Sequence, residues 1–508
     1  MTPAYPEPAS RRLITASVMA ATVMNSLDST IANVALPHIQ GSVAASADEI
    51  TWVLTSYIVA AAIFTPLTGW LGSNIGRKRL MLWSIVGFTI VSGLCGVATN
   101  LDELVLFRLL QGVFGAALVP MSQAILLDIN PPEQHGPAMA VWGMGAILGP
   151  IIGPALGGWL TDNLSWRWVF FINLPIGAIA FAGLYFFFSE KQEGQGARLD
   201  LFGFATLALA IGCFQLMLDR GQTKDWFSSA EICIEAAAAA FFAYLLTVHT
   251  LTAKAPFVDI AMFKDRNFLF GSLMGFFLGV LLFGVLALLP PMLETLMGYP
   301  VVLTGLVTAP RGLGTLLSMW LVGRLVGKID ARLLILVGFS LAAYSMYRMS
   351  GFSLGMDERL VITSGFIQGL GTGLVFVPLA TLSFATLDTR YRNEGSAMFT
   401  LIRNIGSAVG ISVLQAMTIR NGATVHARLV EAVRPDNPVL ATRVPDFDFA
   451  LPWVVARMNA EITRQALMVS YIDAFWLLFV LTVAVTPMLL LMRKPRHAST
   501  DDILLHMD

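Results

Sequence analysis

Long apolar runs recur from one end of this chain to the other, and they limit what it can fold into. The chain has 508 residues, of which 56% are hydrophobic and 13% are charged, whereas soluble domains carry about 25% charged residues. A helix needs about 20 apolar residues to cross the hydrocarbon core of a bilayer. The runs therefore predict an all-α integral membrane protein with fourteen membrane-spanning helices. Their approximate positions are 13–36, 50–72, 80–98, 104–127, 137–162, 168–188, 201–218, 231–251, 268–297, 302–326, 332–349, 360–386, 396–418 and 471–492.

Lysine and arginine concentrate in alternate connections between the predicted spans, apart from Arg220 and Lys224. In short loops these residues mark the cytoplasmic side of a membrane. The basic residues on this side are Arg11, Arg12, Arg77, Lys78, Arg79, Lys191, Arg198, Lys254, Lys264, Arg266, Lys328, Arg332, Arg390, Arg392, Arg493, Lys494 and Arg496. Both termini are therefore predicted to be cytoplasmic. The long polar segment 420–470 would lie outside, and its apolar residues recur at helical spacing, which predicts a folded segment.

The two halves of the sequence contain an internal repeat of short motifs. Residues 69–81 read GWLGSNIGRKRLM after the second span, and residues 323–335 read GRLVGKIDARLLI after the tenth. Two further echoes follow in the same order, Gln111-Gly112 with Gln368-Gly369 and GPAM with GSAM. The repeat predicts an N-terminal six-helix half at 1–190, two inserted helices at 191–260 and a C-terminal six-helix half at 261–508. Secondary transporters built from such halves place the substrate site between them, near the midplane.

Asp28 is an acid inside the first apolar run, and Arg108 is a base inside the fourth. A charge at the bilayer centre costs about 2.5–3.5 kcal/mol on insertion scales, so such groups face a partner or a cavity. Asn25 and Asn33 share the span with Asp28 and could hydrogen-bond its carboxylate or a ligand. Gln111 shares one helical face with Arg108. Because arginine does not deprotonate in proteins, it suits a fixed charge. Asp28 thus indicates proton handling, with permanent pairing to a buried partner as the alternative.

The fifth span carries a glycine at every fourth position, interrupted by two prolines. Missing side chains let a neighbouring helix approach closely, and proline removes a backbone donor and favours bending. These residues are Gly145, Gly149, Pro150, Gly153, Pro154 and Gly157. The pattern predicts a tightly packed helix with a role in conformational change, and simple packing is the alternative.

Together these motifs resemble the fourteen-span drug:proton antiporters of the EmrB/QacA type, within the major facilitator superfamily. The glycine run resembles that family's antiporter motif, residues 27–37 (LDSTIANVALP) its first-span signature, and residues 108–116 (RLLQGVFGA) its fourth-span motif. Residues 218–229 (LDRGQTKDWFSS) are similar to EmrB-like pumps in particular. The resemblance implies the major facilitator fold, an arginine at position 108 that affects proton coupling, and a proton gradient in place of any cofactor.

One position departs from the family's pattern. The loop motif after the second span keeps Gly69, Gly76, Arg77 and Lys78, but Ser73 stands where the family carries an acid. A charge-relay role for that acid therefore does not transfer to this chain. The two basic residues could hold this face together by hydrogen-bonding carbonyls at helix C-termini, or they could only set the topology.

Further polar candidates for the substrate pathway lie in the second half: Glu294, Arg311, Gln368, Arg403 and Asn404. Glu294 is placed either at the outer mouth of the pathway or at the membrane interface. Arg311 and Arg403 are placed near the ends of their spans, so extension of the side chain to the interface is the leading alternative for both.

The sequence contains few motifs that would indicate enzymatic, metal-binding or nucleic-acid-binding functions. It contains neither a Walker A motif nor HExxH. Its three cysteines, Cys95, Cys213 and Cys233, are too scattered for a disulfide framework or a metal site. A net charge of −1 gives no basic footprint for nucleic acid.

These observations predict a non-enzymatic, proton-coupled antiporter that exports amphiphilic drugs or toxic compounds across the inner membrane. Export of a dedicated metabolite, such as a fatty acid or siderophore, is one alternative, and a non-transporting membrane sensor or scaffold is another. The resemblance also implies a periplasmic membrane-fusion adaptor and, through it, an outer-membrane channel. Segment 420–470 is the candidate docking site, unless it is a cap that only orders the last two spans.

Overall fold

The computed structural model of the chain describes residues 6–46, 49–131, 134–189, 199–326, 328–434, 436–437, 440, 442 and 449–493. Lys191, Arg198, Lys494 and Arg496, which contribute to the predicted orientation, lie outside these residues. The described chain is helical, and its β-structure is limited to one isolated bridge between Val326 and Ile329. Its described α-helices are α1 (Pro8–Ser42), α2 (Trp52–Ile75), α3 (Arg77–Val97), α4 (Leu101–Gly115), α5 (Leu118–Ile129), α6 (His135–Asn163), α7 (Trp168–Phe171), α8 (Asn173–Phe187), α9 (Leu201–Arg220), α10 (Ala230–Thr252), α11 (Arg266–Pro291), α12 (Val301–Leu325), α13 (Ala331–Met349), α14 (Glu358–Phe384), α15 (Arg392–Val430) and α16 (Pro452–Val485).

These helices match the fourteen predicted spans when α4–α5 and α7–α8 each count as one. Eleven segments of the described chain are long and apolar enough to cross a membrane. The other three predicted positions are occupied by α1, α12 and α13, where polar side chains such as Asp28 and Arg311 interrupt the apolar runs. We call α1–α8 the N-terminal half, α9–α10 the inserted pair and α11–α16 the C-terminal half.

Glycines let several helices of the C-terminal half pack backbone to backbone. A Cβ atom at Gly410 on α15 would lie 2.7 Å from the Cα of Val280 on α11. Gly371 on α14 and Gly338 on α13 face each other in the same way, each against the carbonyl oxygen of the other. In a membrane, where lipid is as apolar as leucine, such close approach is the main route to tight helix association.

The two halves meet at the end of the bundle where α1 begins, which we call the basic end. Ser396 near the start of α15 donates to the carbonyl oxygen of Pro120 at 3.0 Å. Gly69 on α2 lies so close to α15 that a Cβ would be 2.9 Å from the Cα of Glu394.

Toward the opposite end, α1 presents an open face. Ser29, Asn33 and Pro37, spaced at about one helical turn, are all exposed. The protein is therefore in a conformation whose halves contact one another at the basic end.

The inserted pair lies along the seam between the two halves. Gly212 on α9 packs against Ile63 on α2, where a Cβ would be 3.1 Å from Ile63 Cδ1. At the end of α9, Thr55 on α2 hydrogen-bonds Asp219, and Ser412 on α15 donates to the carbonyl oxygen of Leu218 at 2.8 Å. One helix thus contacts both halves.

Asp200 begins α9 and ties it to the chain that follows α10. Its carboxylate accepts hydrogen bonds from the backbone N–H groups of Gly203 (3.0 Å) and Phe257 (2.9 Å) and pairs with His249 Nε2 at 2.7 Å. Burial acts to raise the pKa of Asp200, but these three bonds outweigh it and hold that pKa below its ordinary value.

The predicted outer segment is largely an extension of two membrane helices. α15 continues to Val430 and α16 begins at Pro452. With 39 residues, α15 is about 58 Å long, far more than the roughly 30 Å hydrocarbon core. His426 and Asn459 share a 2.9 Å hydrogen bond between the two extensions. The prediction of a folded segment is correct for the described part, and residues 435, 438–439, 441 and 443–448 lie outside it.

Candidate functional site

A buried ion pair joins α1 to α4. Arg108 Nη1 lies 2.6 Å from Asp28 Oδ2, and both side chains are completely inaccessible to solvent. Removing one partner of a buried ion pair leaves an uncompensated charge, which costs about 3–5 kcal/mol. The sequence predicted both residues as functional, and the structure places them in direct contact.

Gln111 and a backbone carbonyl oxygen also contact this pair. Gln111 Nε2 donates to Asp28 Oδ1 at 2.9 Å, and its Oε1 accepts from Arg108 Nη1 at 2.8 Å. Arg108 Nε donates to the carbonyl oxygen of Val53 on α2 at 3.0 Å. The spacing of three residues places Arg108 and Gln111 on one face of α4, so the two side chains reach the carboxylate together.

Asn173 at the start of α8 is a member of this cluster that the sequence analysis missed. Its Nδ2 donates to Asp28 Oδ1 and to Ser92 Oγ on α3, at 2.9 Å each. Ser92 in turn donates to the carbonyl oxygen of Phe170 at 2.9 Å. A signal was present, because Asn173 is the single amide side chain in residues 168–187.

Aromatic rings enclose the guanidinium group. The Tyr57 ring lies 4.3 Å and the Phe170 ring 5.7 Å from Arg108 Cζ. Arg108 Nη2 is buried without an acceptor among the described residues. In this apolar enclosure the Asp28 carboxylate supplies the charge that balances Arg108.

The two asparagines predicted to assist Asp28 lie elsewhere. Asn25 Nδ2 donates to Tyr57 Oη (3.0 Å) and to the carbonyl oxygen of Gly115 (3.3 Å), so it supports the ring that covers Arg108. Asn33 is exposed on the open face of α1. Neither side chain hydrogen-bonds the carboxylate in this conformation.

The glycine stripe of α6 packs along α1, the helix that carries Asp28. A Cβ at Gly149 would lie 2.5 Å from the backbone nitrogen of Leu27. One at Gly157 would lie 3.1 Å from the carbonyl oxygen of Ile31, and one at Gly145 would lie 2.8 Å from Met19 Cε. Gly153 packs against Thr30. The stripe therefore sets the distance between α6 and the acid-bearing segment of α1.

Proline residues in α6 create hydrogen-bonding positions that α1 uses. Pro150 has no N–H group, so the carbonyl oxygen of Ala146, four residues earlier, loses its helical donor. Ser26 Oγ donates to this oxygen at 2.5 Å. Only Leu27 lies between Ser26 and Asp28, so the proline-freed carbonyl of α6 and the buried acid contact one short piece of α1. Pro154 lies one turn further along the same helix.

The loop motif forms a contact network at the basic end. Gly76 alone links α2 to α3, with φ of 91°, which favours glycine. Lys78 Nζ donates to the carbonyl oxygen of Tyr185 near the C-terminal end of α8 at 3.0 Å, as the helix-terminus hypothesis expects. Arg77 instead forms an ion pair with Asp128 on α5.

Ser73, which stands where the family's motif carries an acid, contacts the C-terminal half. Asn393 Nδ2 at the start of α15 donates to Ser73 Oγ at 2.9 Å. On the same side, Arg392 Nη1 lies 3.5 Å from Asp128 Oδ1. Neutral and charged contacts thus both join the halves at the basic end.

The placement of Arg311 and Arg403 near helix ends is wrong. Arg311 is the eleventh of 25 residues in α12, and Arg403 is the twelfth of 39 in α15. Arg311 Nη2 donates to the carbonyl oxygen of Leu282 on α11 at 2.7 Å, and Arg403 Cζ lies 5.4 Å from the Phe376 ring centroid on α14. Both side chains are half-buried and point to neighbouring helices instead of extending to the interface.

The remaining candidates are dispersed. Gln368 on α14 is buried, and its Oε1 has no donor among the described residues. Glu294 is half-buried in the π-helical turn Met292–Leu296 that follows α11. Asn404 is exposed. Within the described chain, no group of three or more His, Cys, Asp or Glu side chains could hold a metal ion.

A bundle of membrane-length helices in two halves, with a buried ion pair between helices of one half, defines a polytopic membrane transporter. Residues 18–411 match the family described as Major Facilitator Superfamily. The chain is 37% identical to "Multidrug export protein EmrB" of Escherichia coli (strain K12), over 92% of each protein. It is 36% identical to "Fatty acid resistance protein FarB" of Neisseria gonorrhoeae, over 96% of each. The chain belongs to the Major Facilitator Superfamily, in its EmrB-like branch, and is a secondary transporter, not an enzyme.

Solved structures show the same fold. The structure of the proton:xylose symporter XylE bound to 6-bromo-6-deoxy-D-glucose superposes with a TM-score of 0.62 at 14% identity, covering 94% of this chain and 95% of that one. The human organic anion transporter MFSD10 superposes with a TM-score of 0.61 at 14% identity, covering 94% and 100%. At this identity the likeness concerns the fold alone.

Proposed function

We propose that this chain is a proton-coupled antiporter that exports amphiphilic toxic compounds across the inner membrane, with both termini in the cytoplasm. The observation that carries the proposal is the buried Asp28–Arg108 pair, with Asp28 two residues beyond the contact of α1 with α6 beside Pro150. The Asp28 carboxylate can exist with or without a proton, whereas arginine stays charged.

Coupling follows from the charge balance of the pair. Protonation of Asp28 from the outside leaves Arg108 unbalanced, and the cluster of α1, α3, α4 and α8 rearranges. Release of the proton to the cytoplasm restores the pair. The electrical part of the proton gradient supplies about 2.3 kcal/mol per charge per 100 mV, so neither ATP nor a cofactor is needed.

The halves rock about the site during this cycle. The N-terminal half at 1–190 and the C-terminal half at 261–508 separate at the basic end when the pump opens inward. This opening breaks Asn393–Ser73 and Arg392–Asp128, which join the halves across that end. The α1–α6 contact lies within one half and transmits the change at Asp28 to the rest of it.

A dedicated metabolite is the second candidate substrate. The name "Fatty acid resistance protein" of one relative favours a fatty acid over a siderophore. The names of the EmrB relatives favour a broad range of compounds. Both versions share the coupling site.

The test uses purified protein in proteoliposomes with an imposed proton gradient. Asp28→Asn keeps the shape of the side chain and removes its titratable charge, so gradient-driven efflux of dyes and drugs should fall to background. Asp102→Asn is the matched control, because Asp102 is an exposed acid in the first turn of the helix that carries Arg108. Concentrative efflux by the Asp28 variant at the wild-type rate would rule out this coupling site.

The helical extensions of α15 and α16 are the proposed docking surface for a periplasmic membrane-fusion adaptor, which continues to an outer-membrane channel. The end of this hairpin exposes apolar side chains, among them Leu451 at 39% and Trp453 at 64%. Phe449 and Val455 are exposed beside them, and contiguous exposed apolar patches commonly mark interaction sites.

The docking proposal is tested by co-purification with the adaptor from the native membrane. Trp453→Ser should weaken co-purification and lower resistance in cells, while transport by the pump alone in vesicles survives. Trp83→Ser is the control, since Trp83 on α3 is 70% exposed on a different helix. Normal adaptor binding together with failed vesicle transport would assign the hairpin to the transport cycle.

A further inference from the structure

A tyrosine ring on α2 covers the guanidinium group of Arg108. Arg108 Cζ lies 4.3 Å from the Tyr57 ring centroid, and both residues are buried. Arg108 Nε and Nη1 have oxygen acceptors, whereas Nη2 has none among the described residues. The face of an aromatic ring is electron-rich and attracts a cation, most strongly where water is excluded. The ring therefore contacts a cation that lacks one of its hydrogen-bond acceptors.

The Tyr57 ring is fixed from both of its ends by α4 and α1. At the backbone end, Gly112 lies one turn after Arg108, and a Cβ atom there would collide with the carbonyl oxygen of Tyr57. At the hydroxyl end, Asn25 Nδ2 donates to Tyr57 Oη at 3.0 Å and to the carbonyl oxygen of Gly115 at 3.3 Å. The helix that carries the arginine thus also sets the position of the ring that covers it.

The partners of Arg108 respond differently to a proton on Asp28. Hydrogen bonds to a carboxylate are roughly twice as strong as bonds to neutral acceptors, so the bond from Arg108 to Asp28 weakens when the acid becomes neutral. The carbonyl oxygen of Val53 and Gln111 Oε1 remain as neutral acceptors. The Tyr57 ring attracts the guanidinium group through its electron-rich face, and this attraction does not depend on the protonation of the acid.

We propose that Tyr57 is a positioning residue for proton coupling. Its ring holds Arg108 against α2 while Asp28 carries a proton, and Asn25 keeps the ring over the guanidinium group. The rest of the cluster then rearranges around an arginine that stays in place. This inference deepens the proposed function and rests on it. The competing explanation is packing alone, in which the ring fills space and the electron density of its face has no effect.

Fluorination separates the electron density of the ring face from the shape of the ring. Phenylalanine and its mono-, di- and trifluorinated forms are introduced at position 57 of the full-length protein by amber suppression. Each fluorine withdraws electrons from the ring face and weakens its attraction for a cation, while the size of the ring changes little. Gradient-driven efflux in proteoliposomes should fall stepwise along the series, by about tenfold in total relative to Tyr57→Phe.

A second measurement needs no transport. Asp28→Asn imitates the protonated acid, so Arg108 has no counterion in that protein. Fluorination at position 57 should lower the Tm of the Asp28→Asn protein stepwise, and it should lower the Tm much less when Asp28 is present.

The same series at Phe88 is the matched control. Phe88 is a completely buried ring on α3 that packs close to Gly115, and among the described residues no arginine lies over its face. Fluorination there should leave efflux unchanged and should shift the Tm equally with and without Asp28→Asn.

A double-mutant cycle tests the part of Asn25. Asn25→Val and Tyr57→Phe each remove the hydrogen bond between Asn25 and the phenol oxygen. The double variant should therefore lose little more efflux than either single variant. Additive losses would assign Asn25 to its other bond, with Gly115, and would remove it from the proposal.

A flat efflux series at position 57, or equal Tm shifts with and without Asp28→Asn, would overturn the role of the ring. A fall of the same size in the Phe88 series would also overturn it, because both series would then report packing. If the parent Tyr57→Phe misfolds, as seen by size-exclusion profile, the series is made with fluorinated tyrosines.

The two proposals fail in different ways. Asp28-dependent efflux with a flat series at position 57 would refute the role of the ring alone. Efflux that does not require Asp28, together with Tm shifts that depend on Asp28→Asn, would refute the proposed function and leave the hold of the ring on Arg108 standing.

Discussion

Ser26 on α1 donates its hydroxyl hydrogen to the carbonyl oxygen of Ala146 on α6, 2.5 Å away, and this is the oxygen that Pro150 deprives of a helical partner. A polar side chain in one helix thus satisfies the defect that a proline makes in its neighbour. The bond lies two residues from Asp28. The proline-freed carbonyl of α6 and the Asp28 carboxylate therefore contact the same turn of α1.

Ser26→Ala should slow transport and destabilise the protein. A buried carbonyl left without a donor costs about 1–3 kcal/mol, and the variant leaves Ala146 in that condition. Ser29→Ala is the control, because Ser29 is exposed on the same helix and donates to a carbonyl of α1 itself. Thermal unfolding and gradient-driven efflux measure the two effects. Equal behaviour of the two variants would remove any special role for the bond.

Gly149→Ala should impair transport although it adds a single methyl group. That methyl would meet the backbone of Ser26 and Leu27, which cannot move aside as a flexible side chain can, so α1 and α6 must separate. Gly158→Ala on the same helix is the matched control, since its Cβ would find only Val34 Cγ1 at 3.9 Å. We expect normal efflux from the control. Normal efflux from both variants would show that the α1–α6 distance is unimportant.

Arg108→Ala should destabilise the protein by about 3–5 kcal/mol, because it leaves the buried carboxylate of Asp28 without a counterion. The double variant Asp28→Asn/Arg108→Leu removes both charges and should recover most of this stability without recovering transport. Arg108→Lys should rescue transport only in part, since an ammonium group lacks the planar fork of donors. Denaturation and efflux assays on the wild type, Asp28→Asn, Arg108→Leu and the double variant form a double-mutant cycle. Additive losses of stability would mean that the pair is not energetically coupled.

Asn173→Ala should reduce the rate of coupled efflux while leaving the Asp28–Arg108 contact in place. It removes one of the two donors to Asp28 Oδ1, and hydrogen bonds to charged groups contribute about 1.5–3 kcal/mol. We expect a lower maximal rate of efflux, because the carboxylate loses a donor that fixes its position. Asn163→Ala is the control, an exposed asparagine that bonds the backbone of its own helix. A wild-type rate in the Asn173 variant would make Asn173 a packing residue.

Asp200 predicts how acid affects the inserted pair. Because the folded-state pKa of Asp200 lies below its ordinary value of 3.8, the ionised carboxylate stabilises the fold above that value. The stabilisation disappears as the pH falls through the folded-state pKa. Asp200→Asn should therefore be less stable than the wild type near neutral pH, and the difference should shrink below about pH 4. Thermal unfolding of both proteins between pH 3 and 7 measures it, and a constant difference would contradict the assignment.

Sequence reasoning located the helices well because a membrane leaves few alternatives. Apolar length predicted the positions of α2 and α6 to within a few residues, and the four-residue glycine period predicted a close helix neighbour. The glycine period could not identify α1 as that neighbour, because it shows which face of α6 is closely packed and not which helix packs there. Asn173 was missed because a single amide in an apolar run resembles many inert ones. The positions of Arg311 and Arg403 were predicted wrongly, because the sequence does not reveal the contacts with α11 that both residues make near the middle of their helices.

Because α9 lies on one flank of the seam between the halves, the two flanks of the molecule differ. Amphiphilic molecules dissolve in lipid, and a gap between the halves on any flank would admit them from the side. α9 covers the flank formed by α2 and α15, where Asp219 and Leu218 contact one half each. The flank formed by α6 and α12 has no inserted helix across it among the described residues. A gap that opened between the halves would therefore be covered by an inserted helix on the α2–α15 flank and uncovered on the α6–α12 flank.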